Sequence, residues 1–197
     1  MNDTERELNM RSKSKRSRHF IFAIGILVMA VFISGMVGAQ SKQSQSSPGL
    51  PSDLFVKAIP DNPVDVGEAR KTAQQGQQIV IRGRIGGVPN PFVDKYAIFV
   101  LSDLTLLLCV DECATPWDYC CTPREKILAN VATVQVVGGK GKPLNVSIKG
   151  VNGLNPLSEV VVRGLVAKQD GKTLIVNAQN IFVSGQPSPP GAAKTLW

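Results

Sequence analysis

The sequence predicts an all-β domain, a small barrel with one or two short helices, preceded by a single amino-terminal apolar helix. Three observations predict it. From about Val64 to Ser184, apolar residues alternate or run in short β-branched stretches bounded by Gly, Pro, Asn and Asp, which is the pattern of strands rather than helices. Two of these stretches, "IVIRGRI" (Ile79 to Ile85) and "VVVRGLV" (Val160 to Val166), carry Arg-Gly in mid-strand. A glycine there marks a bulge or a bend, as the strands of a small closed barrel require. Third, "FIFAIGILVMAVFISGMVGA", Phe20 to Ala39, runs for twenty residues without a charge.

As a helix that apolar run spans about 30 Å, one hydrocarbon core. Residues 1–19 before it carry six basic and three acidic side chains, and positive charge stays on the cytoplasmic side. Residues 20–39 therefore read as a single-pass anchor in the cytoplasmic membrane, with the carboxy-terminal domain periplasmic or otherwise extracytoplasmic. The alternative is a signal peptide, since Val37-Gly38-Ala39 before Gln40 fits a small-residue cleavage site. Secretion would then follow cleavage near Ala39. Both readings place the domain where disulfides persist. Residues 40–62, rich in Ser, Gln and Pro, read as a linker. Residues 63–184 form the barrel domain, and residues 185–197 a loose Pro-rich tail. From Gln40 onward the chain has 16 basic and 12 acidic residues, a balance too even to argue for nucleic acid.

Within the domain, "QQIVIRGRI", "YAIFVLSD" (Tyr96 to Asp103), "TLLLCV" and "ATVQVVGG" (Ala132 to Gly139) read as strands. "SEVVVRGLVAKQDGKTLIVNAQNIFV" reads as a hairpin turning at Asp170-Gly171. Period two sends Ile79, Ile81, Gly83 and Ile85 to one face, and Val80, Arg82 and Arg84 to the other. In the second strand Arg163 lies opposite Val160, Val162, Gly164 and Val166. One short helix is expected over Val66 to Gln75, with Asp65 as its cap. Another is expected over Pro123 to Asn130, with Thr122 as cap, Pro123 at the first helical position and Glu125 three residues after the cap.

The glycine-bent first strand, the meander after it, a helix following the third strand and the closing glycine-bent hairpin resemble the OB-fold. The likeness covers about 120 residues. "VIRGRIGG", "TPWDYCC" and "PLSEVVVRG" are more narrowly similar to a group of bacterial membrane-anchored extracytoplasmic proteins with no assigned activity. The fold resemblance implies binding of an oligonucleotide, an oligosaccharide or a protein on the barrel face. An anchored extracytoplasmic OB domain also resembles the haem chaperones of cytochrome c maturation. Those hold haem through a histidine near the last strands, where this chain reads "VAKQDGK".

All four cysteines, Cys109, Cys113, Cys120 and Cys121, lie in "CVDECATPWDYCCTP". Adjacent Cys120 and Cys121 have Cα atoms about 3.8 Å apart, below the usual disulfide range of roughly 4.4–6.8 Å. Two bridges are therefore expected, each joining Cys109 or Cys113 to Cys120 or Cys121, and stapling an irregular loop. The alternative is a zinc or other soft-metal site with all four as ligands, or a redox centre. Cys109 and Cys113 fit a metal-ligand pair, whereas the adjacent pair does not. Asp111, Glu112 and Asp118 raise thiol pKa values and disfavour free thiolates. No cofactor is expected on the disulfide reading, and zinc on the other.

The single histidine is His19, ahead of the apolar run. The outer domain thus lacks the groups for histidine acid–base catalysis, a Ser-His-Asp triad or most catalytic zinc sites. "RGRIGG" is glycine-rich but lacks the phosphate-binding spacing before a helix. A non-catalytic module is expected, with an envelope protein or an oligosaccharide as partner. The candidate ligand-binding residues are Arg82, Arg84 and Arg163 as a basic patch, and Trp117 and Tyr119 as stacking surfaces. The plainer reading makes the arginines solvated outer-face residues and packs the two aromatics against the sulfurs.

Overall fold

The two glycine-bearing stretches become neighbouring strands. A computed structural model describes residues 49–108 and 113–185. The amino-terminal segments expected as basic flank and anchor, the first part of the linker, Cys109 and the tail from residue 186 lie outside the described residues. The elements are β1 (Val64–Asp65), α1 (Val66–Thr72), β2 (Gln78–Ile85), β3 (Ile98–Ser102), α2 (Arg124–Leu128), β4 (Val131–Gln135), β5 (Glu159–Gln169) and β6 (Leu174–Gly185). Single 3-10 turns lie at Pro116–Asp118 and Val151–Gly153.

Five of the strands close a ring. β2 pairs antiparallel with β3, β3 with β4, β6 with β5 and β5 with β2, while β4 and β6 pair in parallel. The result is a closed five-stranded barrel with few short helices, consistent with a small OB-like barrel. Among the described residues, closure leaves no long unpaired edge. The alternation read from the sequence holds in β2, where Ile79, Ile81, Gly83 and Ile85 are buried and Val80, Arg82 and Arg84 half-buried. Phe99, Leu101, Val134, Val162, Val176 and Ile181 complete the interior.

The two mid-strand glycines allow the wall to bend. A Cβ at Gly164 would collide with the Asn177 carbonyl oxygen and stand 2.8 Å from Val176 Cγ1. The β5–β6 ladder shifts register between Arg163 and Gly164, so this glycine sits at a bulge, as expected. At Gly83 a Cβ would meet the Ser102 carbonyl oxygen and lie 2.8 Å from Leu101 Cγ. The β5–β6 hairpin turns over Asp170 to Thr173, where Asp170 Oδ1 accepts the Lys172 and Thr173 N–H groups at 3.0 and 2.7 Å.

Four expectations need correction. The linker does not extend to residue 62. Val56 N–H donates to the Ile181 carbonyl at 3.0 Å, Ile181 N–H donates to Leu54 at 2.6 Å, and Leu54 is only 1% exposed. Among its Ser and Pro neighbours, one leucine and one phenylalanine dock this segment on β6. "TLLLCV" does not start a strand, because Asp103 Oδ1 accepts the Thr105 N–H at 2.9 Å and its hydroxyl at 2.6 Å. That local turn buries Leu106 and leaves Leu107 82% exposed. The helix expected at Pro123 begins at Arg124, with Pro123 rather than Thr122 in the cap position. Thr122 N–H is instead donated to the Tyr119 carbonyl at 2.8 Å, closing the preceding turn. In α1, Asp65 holds the cap position but its carboxylate makes no cap bond. Asp103 Oδ2 takes the Gly67 N–H at 2.6 Å from across the fold.

Candidate functional site

The loop between β3 and α2 is built around Tyr119. This residue sits in the left-handed region at φ 55°, where a residue other than glycine is uncommon. Tertiary contacts hold it there. Its side chain is fully buried, and its hydroxyl lies 2.8 Å from Ser102 Oγ. Ser102 Oγ in turn donates to the Arg84 carbonyl at 2.8 Å, so the Tyr119 O–H donates to Ser102. The ring is an anchor driven into the β2–β3 junction, where its burial contributes about 2–3 kcal/mol. Tyr119 therefore presents no stacking face, which corrects that expectation; it is packed at the β2–β3 junction, beside Ser102 and Gly86.

Trp117 forms the second anchor point. Its carbonyl accepts the Gly87 N–H at 2.7 Å, and its indole Nε1 donates to the Pro89 carbonyl at 2.9 Å. It is half-buried. A Cβ at Gly86 would stand 2.5 Å from the Trp117 carbonyl oxygen and 3.3 Å from Tyr119 Cε2. The glycine pair that ends "RGRIGG" is thus the seat of the loop, admitting a backbone that any side chain would push away.

Asp118 orders the turn between the anchors. Its Oδ2 accepts the Thr115 hydroxyl at 2.8 Å, and its Oδ1 accepts the Cys120 N–H at 2.9 Å. With Tyr119 turned inward and left-handed, Asp118 and Cys120 come to the same side. Cys113 Sγ lies 3.3 Å from Cys120 Sγ, and Cys120 Sγ lies 3.8 Å from Cys121 Sγ. Both are contacts, longer than the roughly 2.05 Å of a disulfide bond. No bond is formed between Cys113 and Cys120 here, one of the pairings the sequence left open, although their sulfurs lie in contact. Cys109 lies outside the described residues. The ligand atoms of Cys113, Asp118 and Cys120 all lie within 4.8 Å of one another.

Beside this cluster runs a cleft of about 280 Å³, floored by Gly87, Val88 and Pro89 and walled by Asp118, Cys120, Arg124 and Leu128. A second, larger cleft of about 360 Å³ lies between α1 and β2 and is lined in part by Thr72, Gln77, Gln78 and Arg163. It shares no lining residue with the first.

The three strand arginines do not add up to a basic patch. β2 and β5 do pair, aligning Val80 with Arg163, Arg82 with Val161 and Arg84 with Glu159. Arg82 Nε donates to Asp65 Oδ1 at 2.6 Å and Nη2 to Oδ2 at 3.3 Å, and this bond raises the Arg82 pKa above its ordinary value. Arg84 Nη2 donates to Glu159 Oε1 at 2.9 Å. Arg82 and Arg84 are thus each matched by a carboxylate, and Arg163 lines the other cleft. Sequence reading weighed Asp118 only as negative charge and did not single out Asp103, Ser102 or Gly86. The contacts of Asp103 with Gly67, of Ser102 with Tyr119 and of Gly86 with Trp117 join residues 17 to 36 positions apart, which no local pattern reveals.

Compared with known proteins, the chain matches no family model and no curated relative.

Proposed function

We propose that the protein is a membrane-anchored, exported OB-like module that binds an envelope protein through the cleft beside its cysteine loop. The observation that carries this reading is the double anchoring of the loop. Tyr119 and Trp117 fix a surface cleft to the barrel wall, and rigid presentation lowers the ordering cost of binding. The cleft mixes apolar and charged groups, with Leu128 49% exposed at its edge and Arg124 and Asp118 in its walls. An apolar rim with a few polar groups suits a polypeptide segment better than a sugar. Cys113 and Cys120 stand where oxidation would staple the loop further. The described residues include no histidine, since the chain's one histidine is His19, so a binding role fits better than acid–base catalysis.

Site-specific photocrosslinking in intact cells tests it. A photoreactive residue at Leu128 of the full-length protein is expected to give one discrete adduct. The same probe at Lys172, on the hairpin tip, is expected to give none, and Arg124→Glu is expected to abolish the Leu128 adduct. Equal labelling from both positions would remove the cleft as the binding surface. Catalytic turnover lost on substituting Asp118 would replace binding with enzymology.

A further inference from the structure

We infer that Cys113, Cys120 and Asp118, with Cys121 beside them, form a binding site for a zinc ion when the thiols are reduced. The inference goes beyond the partner-binding reading and does not depend on it.

Geometry is the first support. Zinc–sulfur bonds of roughly 2.3 Å at tetrahedral angles place two sulfurs roughly 3.8 Å apart. Cys120 and Cys121 already stand at 3.8 Å, and Cys113 and Cys120 at 3.3 Å. A small outward rotation of Cys113 completes the spacing. The Asp118 carboxylate belongs to the same cluster, its oxygen within 4.8 Å of both sulfurs.

Pre-organisation is the second. Asp118 accepts bonds from the Thr115 hydroxyl and the Cys120 N–H, which orient the carboxylate and leave each oxygen with capacity to meet a cation. The backbone that carries Asp118 and Cys120 is fixed through buried Tyr119 between them. Little chain entropy remains to be lost on binding.

Donor chemistry selects the ion. Two or three thiolates with one carboxylate are mixed soft and hard donors. They suit borderline zinc better than Cu(I), which favours sulfur alone, or calcium and magnesium, which favour oxygen alone. Cys120 is exposed and Cys113 half-buried, so an ion enters directly from solvent. A Cys113–Cys120 disulfide would use the same sulfurs, so bridge and ion are alternatives.

The test uses full-length protein, reduced and freed of metal, titrated with Co²⁺ and then Zn²⁺. One Co²⁺ per chain with a thiolate-to-metal charge-transfer band is expected, with the band bleached by one equivalent of Zn²⁺. Cys113→Ser and Cys120→Ser should each weaken binding by about tenfold or more. Asp118→Asn, which keeps an acceptor for the Cys120 N–H, should weaken binding while leaving the melting temperature of the metal-free protein nearly unchanged. Oxidation to a Cys113–Cys120 bridge should abolish the band. If a serine variant fails to fold, alkylating the thiols of folded wild-type protein before titration substitutes for it. Absence of a band in reduced protein, or affinity unchanged in both serine variants and after alkylation, would overturn the inference. The partner-binding reading would then still stand on the crosslinking at Leu128.

Discussion

The barrel wall and the cysteine loop are held in opposite ways. In the wall, every residue from Gln78 to Arg84 on β2 has a ladder partner on β5, and the interior is one continuous apolar cluster. Losing any one contact leaves its neighbours in place. In the described part of the loop, few ties reach the wall, chiefly the Tyr119 hydroxyl, the Trp117 carbonyl and the Trp117 indole. The wall is redundant and the loop is not. The difference teaches that substitutions in the loop can destroy a site while sparing the fold, and that the reverse requires striking the wall where it bends.

The largest effect is expected at such a bend. Gly164→Val places a branched side chain against the Asn177 carbonyl and Val176. A destabilisation of about 3 kcal/mol or more is expected, from overpacking in a strand pair that cannot separate without opening the barrel. Loss of the cooperative transition in thermal melting followed by circular dichroism checks this. A melting curve like that of the wild type would show that the wall tolerates the bend position.

Gly86→Ala should sharpen the contrast. The new methyl would stand 2.5 Å from the Trp117 carbonyl oxygen, so the loop must lift. A cost of about 1–3 kcal/mol is expected, with faster alkylation of Cys113 and Cys120 by a thiol reagent and little change in barrel amide exchange. If the barrel amides lose protection equally, loop and wall are one cooperative unit and the comparison fails.

Tyr119→Phe tests the anchor more gently. It removes the hydroxyl that donates to Ser102, at an expected cost of about 1 kcal/mol. Hydrogen exchange at the Gly87 and Cys120 amides should accelerate while that of Val162 and Val176 stays unchanged.

The smallest effect is expected at the hairpin tip. The Lys168 side chain first, and then the Thr173 and Lys172 N–H groups, hold the Asp170 carboxyl below its ordinary pKa. A depressed folded value means the interaction is fully present above the ordinary carboxylate range, roughly 3.9 for aspartate, and is lost as pH falls through the folded value. The group is fully exposed, so solvent screens most of it. Carbon-detected NMR titration should show the low midpoint, with the Thr173 amide shift following the same curve. A midpoint at the unperturbed value would mean that backbone geometry alone sets the turn.

Much of the wall was legible because its signals are local. Period-two alternation in β2, the Asp170-Gly171 turn, the outward arginines and the two mid-strand glycines each express themselves within a few residues. The misreadings share a different origin. Residues 50–56 resemble a linker by composition, yet Leu54 and Phe55 dock on β6 once β6 exists. "TLLLCV" has a strand's composition, yet Asp103 bends it while also capping α1. The cysteines were recognised as the notable feature, with Cys109 or Cys113 expected to meet Cys120 or Cys121 and the pairing left open. The long-range contacts of Tyr119 and Trp117 that seat their loop were not visible.

By itself, then, the sequence determined the strand pattern, the bends, the hairpin turn and the clustering of thiols, because side-chain periodicity and turn chemistry act over a handful of neighbours. Tertiary structure alone decided that Tyr119 points inward and that Gly86 and Gly87 receive the loop. Those outcomes depend on burial and hydrogen bonding between residues far apart in the chain, whose partners come within reach only when the barrel closes.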